Sequence, residues 1–240
     1  ILLGTAKALY QLRDKLPGTV KLFFQPAEET IGGAERMIAA GCLENPHVDA
    51  VIGLHVNTDL LTGSIGLKYG TMFAGSDMIT LRVFGKQTHG ASPQDGVDPI
   101  VISANIILAM QSLVSRDIAP VQSAIFTVGS VHAGTTSNII PEMVEMKCIL
   151  RTLDPPTRKF LQGRVKDVST QIAQAYRGRA EVDIVESYGP LINDASMVDL
   201  VRSAAAGVLG DESVKMIDVP TMGAEDFSYF ALNRKACFFY

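Results

Sequence analysis

The stretch VKLFFQPAEET, residues 20–30, places two adjacent acids directly after an apolar run. Such a run is typical of a strand buried in a parallel sheet, and ligands gather at the carboxyl ends of parallel strands. Glu28 and Glu29 lie just past this predicted strand end. As neighbouring anions they repel each other, so we expect a positive group to compensate them.

The sequence on both sides of this stretch alternates between helix and strand patterns. A helix is predicted over residues 1–16, followed by a strand over Thr19–Phe24. A second helix, at about Gly33–Ala40, precedes a second apolar strand, Val48–His55. Alternation of helices with apolar strands predicts an α/β fold, with a mainly parallel sheet that carries helices on both faces.

A different pattern begins after the Gly-rich and Thr-rich passage at residues 62–75. Asp77–Phe84 and Glu142–Thr152 alternate between apolar and polar side chains, which indicates antiparallel strands with one solvated face. Helices are predicted at about Pro99–Ser115 and over Pro155–Arg177, the second ended by Gly178. The order is that of a ferredoxin-like βαββαβ domain.

The chain is therefore predicted to hold two domains, one inserted into the other. Residues 76–187 form the ferredoxin-like insert, and residues 1–75 and 188–240 form a discontinuous α/β domain. The returning part is predicted to contain a helix over Ala195–Val208, a short strand over Val214–Asp218 and a final strand.

Composition excludes several classes of partner. The formal net charge of -4 over 240 residues gives no electrostatic basis for binding nucleic acid or an anionic membrane. No uncharged apolar stretch is predicted to span a membrane. The three cysteines are far apart and form no CxxC pair, which argues against a disulfide framework and favours a cytoplasmic location.

Both ends of the sequence resemble interior sequence. The first residues read as the middle of a helix without a capping residue, and the last residues, ACFFY, are apolar and strand-like. Chain termini usually lie at the surface. We therefore expect further sequence on both sides.

Three side chains are expected to meet at the carboxyl edge of the predicted parallel sheet. A carboxylate from Glu28 or Glu29 and the imidazole of His55 suit a divalent metal such as zinc. One acid would bind the metal and the other would accept a proton from water. The residues alone leave another interpretation open, in which the acids are solvated near a helix N-terminus and His55 makes a single hydrogen bond.

Five motifs carry a family resemblance that covers the chain in order: QPAEET, GLHV, GKQTHGASPQDGVDPI, SNIIPE and MGAEDFSYF. Together they resemble the metal-dependent amidohydrolases that include hippurate hydrolase, indole-acetyl-amino-acid hydrolases and N-acetyldiaminopimelate deacetylase. The resemblance implies a dinuclear-metal α/β catalytic domain with an inserted lid or dimerisation domain, and a homodimer. It also implies two divalent ions (zinc, manganese, cobalt or nickel).

The resemblance assigns roles at the acids and at His55. Glu28 matches the family's general base, and Glu29 and His55 match metal ligands. Asp226, in AEDF, is interpreted as a helix cap rather than a ligand. Two further ligand-bearing parts of the family pattern, a Cys-Gly-His-Asp segment and a later histidine, are not among these 240 residues.

The resemblance also assigns residues that would contact substrate. His89 matches the histidine that reaches a substrate carbonyl, usually across a dimer interface, and Asn138 and Arg151 match the pair that holds the substrate carboxylate. A loop histidine, a turn asparagine and a solvated strand arginine are the simpler interpretations. His47 and His132 fit no motif and are predicted to be structural or surface residues.

The resemblance implies hydrolysis of the amide bond in an N-acyl amino acid or a dipeptide-like substrate. The alternative is a catalytically incomplete relative or fragment that serves as a dimerising, ligand-binding module. A serine or cysteine hydrolase is disfavoured, because the sequence contains no GxSxG motif and no cysteine near a histidine in a recognisable context.

Overall fold

The computed structural model describes residues 1–30 and 32–240. The helices are α1 Leu2–Gln11, α2 Ala34–Ala39, α3 Pro99–Arg116, α4 Pro155–Ala175, α5 Ala195–Leu209 and α6 Ser228–Asn233, with short 3-10 helices at Arg13–Lys15, Pro93–Asp95 and Asp211–Ser213. The strands are β1 Ala50–Leu54, β2 Ile65–Leu67, β3 Gly70–Phe73, β4 Gly75–Phe84, β5 Thr88–His89, β6 Ala124–Ala133, β7 Ile139–Ile140, β8 Met143–Thr152, β9 Arg179–Glu186, β10 Leu191–Asn193, β11 Val214–Met216 and β12 Lys235–Phe239.

The described residues form two compact units. Unit 1 comprises residues 1–72, 191–219 and 225–240, and unit 2 comprises residues 73–190 and 220–224. The predicted domain boundaries, at residues 75/76 and 187/188, fall near two of the four chain crossings between these units, those at 72/73 and 190/191. That the units are separate domains stays a prediction.

Two strand pairs of unit 1 are parallel, as predicted. β1 pairs with β12, and β11 pairs with β2. Gly66 and Tyr240 exchange two backbone hydrogen bonds, of 2.8 and 2.9 Å, which connect β2 to the end of β12. The passage at residues 62–75 therefore contributes β2 and β3 rather than serving only as a connection.

One predicted strand of unit 1 is absent: the prediction for residues 19–24 was wrong. The segment belongs to no strand, and within residues 1–30 and 32–240 no neighbouring strand pairs with it. Val20 and Phe24 are exposed. The Phe23 ring instead stacks on Phe230 of α6, with 5.5 Å between centroids. A strand needs a hydrogen-bonding neighbour, which an apolar pattern does not supply.

Unit 2 shows the predicted βαββαβ order. Its antiparallel sheet has the strand order β6-β8-β4-β9, and α3 and α4 pack against it. Alternate residues of β4 and β8 are buried, which confirms the period-two pattern. The core between sheet and helices includes Ile79, Leu81, Val83, Ile106, Met146, Leu150, Leu161 and Val165.

The long helices of unit 2 begin as predicted. The Asp98 carboxylate accepts from the N–H groups at the start of α3, and the Asp154 carboxylate does the same for α4. The predicted end of α4 was wrong, because Arg177 rather than Gly178 has the left-handed φ, 66°. Gly178 is needed for close packing instead, since a Cβ there would lie 2.8 Å from the backbone carbonyl oxygen of Phe84 and 2.5 Å from the Ile102 side chain.

By length and composition, α3 could cross a membrane, with 33% of its 18 residues buried inside the protein. Its buried side chains belong to the core of unit 2. A core helix passes the same test of length and hydropathy, so this feature is weak evidence for a membrane.

Candidate metal centre

The sequence after Phe24 and the end of β1 bring three predicted site residues into unit 1. The chain turns at Glu28, which is half-buried, whereas Glu29 is exposed. His55 directly follows β1, and its N–H donates to the Phe239 carbonyl at 3.1 Å. The His55 Nδ1 lies 2.6 Å from the Val56 carbonyl oxygen. Because a carbonyl oxygen can only accept, Nδ1 carries the proton and Nε2 is left as the potential ligand.

Two further acids, Glu225 and Asp226, are held beside this edge by the aromatic residue that follows them. The Phe227 ring lies 5.1 Å from that of Phe238 in β12. It also lies against β1 at Gly53, where a Cβ would be only 2.6 Å from the ring. The absence of a side chain at this strand position thus lets Phe227 pack on the sheet, and packing fixes both acids.

Glu28, Glu225 and Asp226 form a carboxylate cluster. One oxygen atom from each lies within 4.8 Å of the others. Glu225 is 7% exposed and Asp226 is fully buried. Carboxylate oxygens are suitable ligands for a divalent ion. Three carboxylates this close together repel one another, and a bound cation would offset that repulsion.

Burial and mutual repulsion raise the pKa values in this cluster. The pKa of Glu28 is raised, first by burial and then by the charges of Asp226 and Glu29. The pKa of Glu225 is raised to about 7, mainly by burial, with Glu28 and Asp226 adding to the effect. The charge of His55 acts in the opposite direction on both acids. The site therefore disfavours several simultaneous negative charges unless a cation is present.

Asp226 caps a helix, as predicted, but the helix lies in a distant segment. Its Oδ2 accepts hydrogen bonds from the N–H groups of Gly33 and Ala34, at 2.8 and 3.1 Å, at the start of α2. Its Oδ1 accepts from the Gln25 amide at 2.6 Å. Both oxygens of Asp226 are therefore already engaged by hydrogen bonds within unit 1.

The predicted ligands Glu29 and His55 are not members of the three-acid cluster, although both are close enough to affect the pKa of Glu28. Their assignment as ligands stays a prediction. Sequence reasoning missed Glu225, which lies 197 positions after Glu28. A usable signal was present: an acid pair inside the aromatic, largely apolar stretch AEDFSYF must be buried and compensated.

In unit 2, His89 and Asn138 are brought together. β5 and β7 pair, with His89 opposite Ile139, and the Gly90 N–H donates to the Asn138 carbonyl at 2.8 Å. Both side chains are exposed. The Thr136 hydroxyl donates to Asn138 Oδ1 at 2.9 Å, which orients the amide.

Arg151 lies at the other end of unit 2. It is on the polar face of β8, as predicted, and its guanidinium donates to the Met222 carbonyl at 2.8 Å. Eight residue steps separate Arg151 from Met143, the first residue of β8 and the one nearer Asn138. At strand spacing this is about 26 Å. The length of β8 thus lies between Arg151 and the strand end that leads towards Asn138, and the role of these two residues as a carboxylate-binding pair stays a prediction.

Comparison with known proteins identifies relatives over the whole chain. The model of the peptidase family M20/M25/M40 matches residues 1–240. N-acetyl-L-cysteine deacetylase of Bacillus subtilis is 40% identical over 230 residues, covering 95% of this chain and 54% of the relative. IAA-amino acid hydrolase ILR1-like 4 of Arabidopsis thaliana is 37% identical over 234 residues, covering 96% and 52%. The chain thus spans about half the length of these curated relatives.

A solved structure shares the fold. The Bacillus subtilis YXEP protein, described as a dinuclear metal binding peptidase, superposes with a TM-score of 0.82 at 30% identity. The match covers 99% of this chain and 60% of the other. The α/β fold class is thereby confirmed, and the acidic cluster of this chain could hold metal in a family that includes a dinuclear metal peptidase.

Proposed function

Because the chain belongs to the peptidase family M20/M25/M40, we propose that the protein hydrolyses the amide bond of N-acyl amino acids with the help of divalent metal ions. The carboxylate cluster in unit 1 is the observation that carries this proposal. The relatives named as a deacetylase of N-acetyl-L-cysteine and as an IAA-amino acid hydrolase support the substrate class.

Two divalent ions, of zinc, manganese, cobalt or nickel, are proposed for the full-length protein. Glu29 and His55 would act as ligands, and Glu225 adds an acid whose raised pKa fits a site built for a cation. Mixed nitrogen and oxygen ligands accept several of these metals. Such ions, when bound, polarise a substrate carbonyl and make water more acidic.

Glu28 is proposed as the general base. Its pKa is raised by burial and by neighbouring acids. The shift brings the pKa closer to neutral pH, and a general base is most efficient when its pKa lies near the operating pH. Glu28 would accept a proton from the attacking water and return it to the leaving amine. Once it has given up this proton, Glu28 is again a carboxylate. The amine and the acid product then dissociate, and the next cycle can begin.

The separation in unit 2 supports a homodimer. Arg151 can bind a substrate carboxylate through a bidentate, charge-assisted pair. Because about 26 Å of strand separates it from the Asn138 end, His89 and Asn138 cannot contact the same small substrate as Arg151 from one chain. We propose that these two groups are contributed by different subunits, with unit 2 as the lid and dimerisation domain.

Amide hydrolysis by the full-length protein tests this proposal. N-acetyl-L-cysteine and a panel of other N-acyl amino acids would be assayed before chelation, after chelation and after addition of each of the four metals. We expect activity that chelation abolishes and at least one metal restores. Absence of hydrolysis in metal-loaded protein would instead favour the dimerising, ligand-binding module.

A further inference from the structure

The segment that carries Glu28 and Glu29 closes back on itself at Pro26 and Gly33. A Cβ at Gly33 would lie 2.0 Å from the Pro26 carbonyl oxygen, so only glycine permits this approach. Within the segment, the Gly32 N–H donates to the Ala27 carbonyl at 2.9 Å. The two acids therefore lie in a segment whose ends are close together, which we call the acid loop and define as residues 25–30 and 32–34.

One carboxylate, that of Asp226, holds both ends of the acid loop. Oδ1 accepts from the Gln25 side-chain amide at 2.6 Å, at the first residue of the loop. Oδ2 accepts from the N–H groups of Gly33 and Ala34, at 2.8 and 3.1 Å, at its last two residues. Asp226 is fully buried, so these bonds form away from water, where hydrogen bonds to a charged acceptor are strong.

Helix capping explains half of this arrangement. The bonds to Gly33 and Ala34 satisfy N–H groups at the start of α2, as an N-cap carboxylate does. Capping does not require the Gln25 bond, which ties the opposite end of the acid loop to the same side chain. We call the hydrogen bonds from Asp226 to Gln25, Gly33 and Ala34 the bridge. Glu28 and Glu29 lie in the chain between its two ends.

We propose that Asp226 is a positioning residue, which fixes where the acid loop presents the Glu28 and Glu29 carboxylates. The proposal rests on the proposed function, because its consequence for turnover arises only if Glu28 acts as the base. Displacing a catalytic group by about 1 Å lowers turnover by as much as about a hundredfold. Loosening the bridge should therefore reduce kcat without removing Glu28.

A reversal of hydrogen-bond polarity tests the bridge in the metal-loaded full-length protein. Gln25→Glu, assayed at pH 8, replaces the amide donor with a carboxylate that has no N–H or O–H to donate to Asp226 Oδ1. In the double variant Gln25→Glu with Asp226→Asn, the introduced amide can donate to the introduced carboxylate. Its oxygen can still accept from Gly33 and Ala34, and the total charge of the pair equals that of the natural protein.

We expect Gln25→Glu to lower kcat by about tenfold to a hundredfold with little change in KM, and the double variant to recover most of that loss. Hydrogen–deuterium exchange of peptides spanning residues 26–40 provides a second readout that does not depend on activity. Exchange there should increase in Gln25→Glu and return towards the natural rate in the double variant. Gln171→Glu, the same chemical change at an exposed position of α4, is the matched control.

The two proposals fail in different ways. Lack of hydrolysis by the natural protein would overturn the proposed function, and the exchange measurement would still judge the bridge. A natural kcat and natural exchange in Gln25→Glu would overturn the positioning role of Asp226. So would a double variant in which neither readout recovers.

Discussion

Two buried acids, one in each unit, have opposite electrostatic surroundings. Asp77, 1% exposed in unit 2, accepts hydrogen bonds from the Arg158 guanidinium and from the Gln162 amide. Glu225, 7% exposed in unit 1, accepts from the Phe227 N–H at 3.2 Å and faces the carboxylates of Glu28 and Asp226. The charge of Asp77 is balanced by the Arg158 guanidinium, whereas Glu225 lies beside other acids.

This difference distinguishes a structural acid, Asp77, from acids that could bind a ligand, Glu225 and its neighbours. A buried charge with a bidentate partner is satisfied, so Asp77 needs nothing from outside the chain. A buried acid beside other acids responds by binding a proton or a cation. The raised pKa of Glu225, about 7, means that it binds a proton more readily than an exposed glutamate does. A bound metal ion would relieve the same repulsion.

The largest effect is expected at the acid proposed to act as base. Glu28→Gln keeps the shape of the side chain but removes its ability to accept a proton. In the metal-loaded full-length protein, kcat for N-acyl amino acid hydrolysis should fall by about 10²- to 10⁴-fold, while bound metal is retained. Glu35→Gln, at an exposed acid of α2, should leave the rate unchanged. Near-natural turnover by Glu28→Gln would refute the role of base.

The compensated acid should control stability rather than chemistry. Arg158→Ala leaves the buried Asp77 carboxylate without its guanidinium partner, so the free energy of unfolding should fall by about 3–5 kcal/mol. Urea denaturation measures this change. The double variant Arg158→Met with Asp77→Leu should recover most of it, because no buried charge remains. A loss no larger than that caused by Arg82→Ala, at an ion pair on the solvated face, would contradict the account.

The uncompensated acid should make the metal-free protein less stable as pH rises. The pKa of Glu225 in the folded state, about 7, is above its ordinary value of 4.5. The folded state therefore binds the proton more tightly, so this contribution to stability is complete below pH 4.5 and lost above about pH 7. It corresponds to about 3 kcal/mol. Urea denaturation at pH 5, 6, 7 and 8 should show the decline in natural protein and a flatter profile in Glu225→Gln.

The smallest effect is expected at Asp98, a half-buried acid for which no ion pair is found within residues 1–30 and 32–240. Asp98 caps α3 by accepting from the Ile100 N–H at 2.8 Å. Asp98→Ala should lower the free energy of unfolding by about 1 kcal/mol, the usual value of an N-cap. Asp98→Asn, which retains a capping oxygen, is the control and should lose less. Equal losses in the two variants would show that capping is not what the side chain contributes.

Unit 2 was largely predictable from sequence because its signals are local. Alternation along β4 and β8 arises within each strand, and the caps Asp98 and Asp154 adjoin their own helices. The end of α4 was misplaced at Gly178, because that glycine is required by close packing against β4 and α3 rather than by backbone conformation. Local sequence does not distinguish these two uses of glycine.

The candidate site was only partly predictable, because its parts are far apart in sequence. Glu28 was proposed from its place after an apolar run and is a member of the carboxylate cluster, whereas the role of His55 stays a prediction. The geometry that adds Glu225 arises from contacts between distant segments. The strand predicted over residues 19–24 failed for a related reason, since strand formation depends on a neighbour that local sequence does not reveal.

The most direct test of the central claim is the difference in unfolding free energy between metal-loaded and chelated full-length protein, measured at pH 5 and at pH 8. We expect that metal stabilises the protein and that the stabilisation is larger at pH 8, where Glu225 is ionised, than at pH 5. Equal stability of loaded and chelated protein at pH 8 would contradict it.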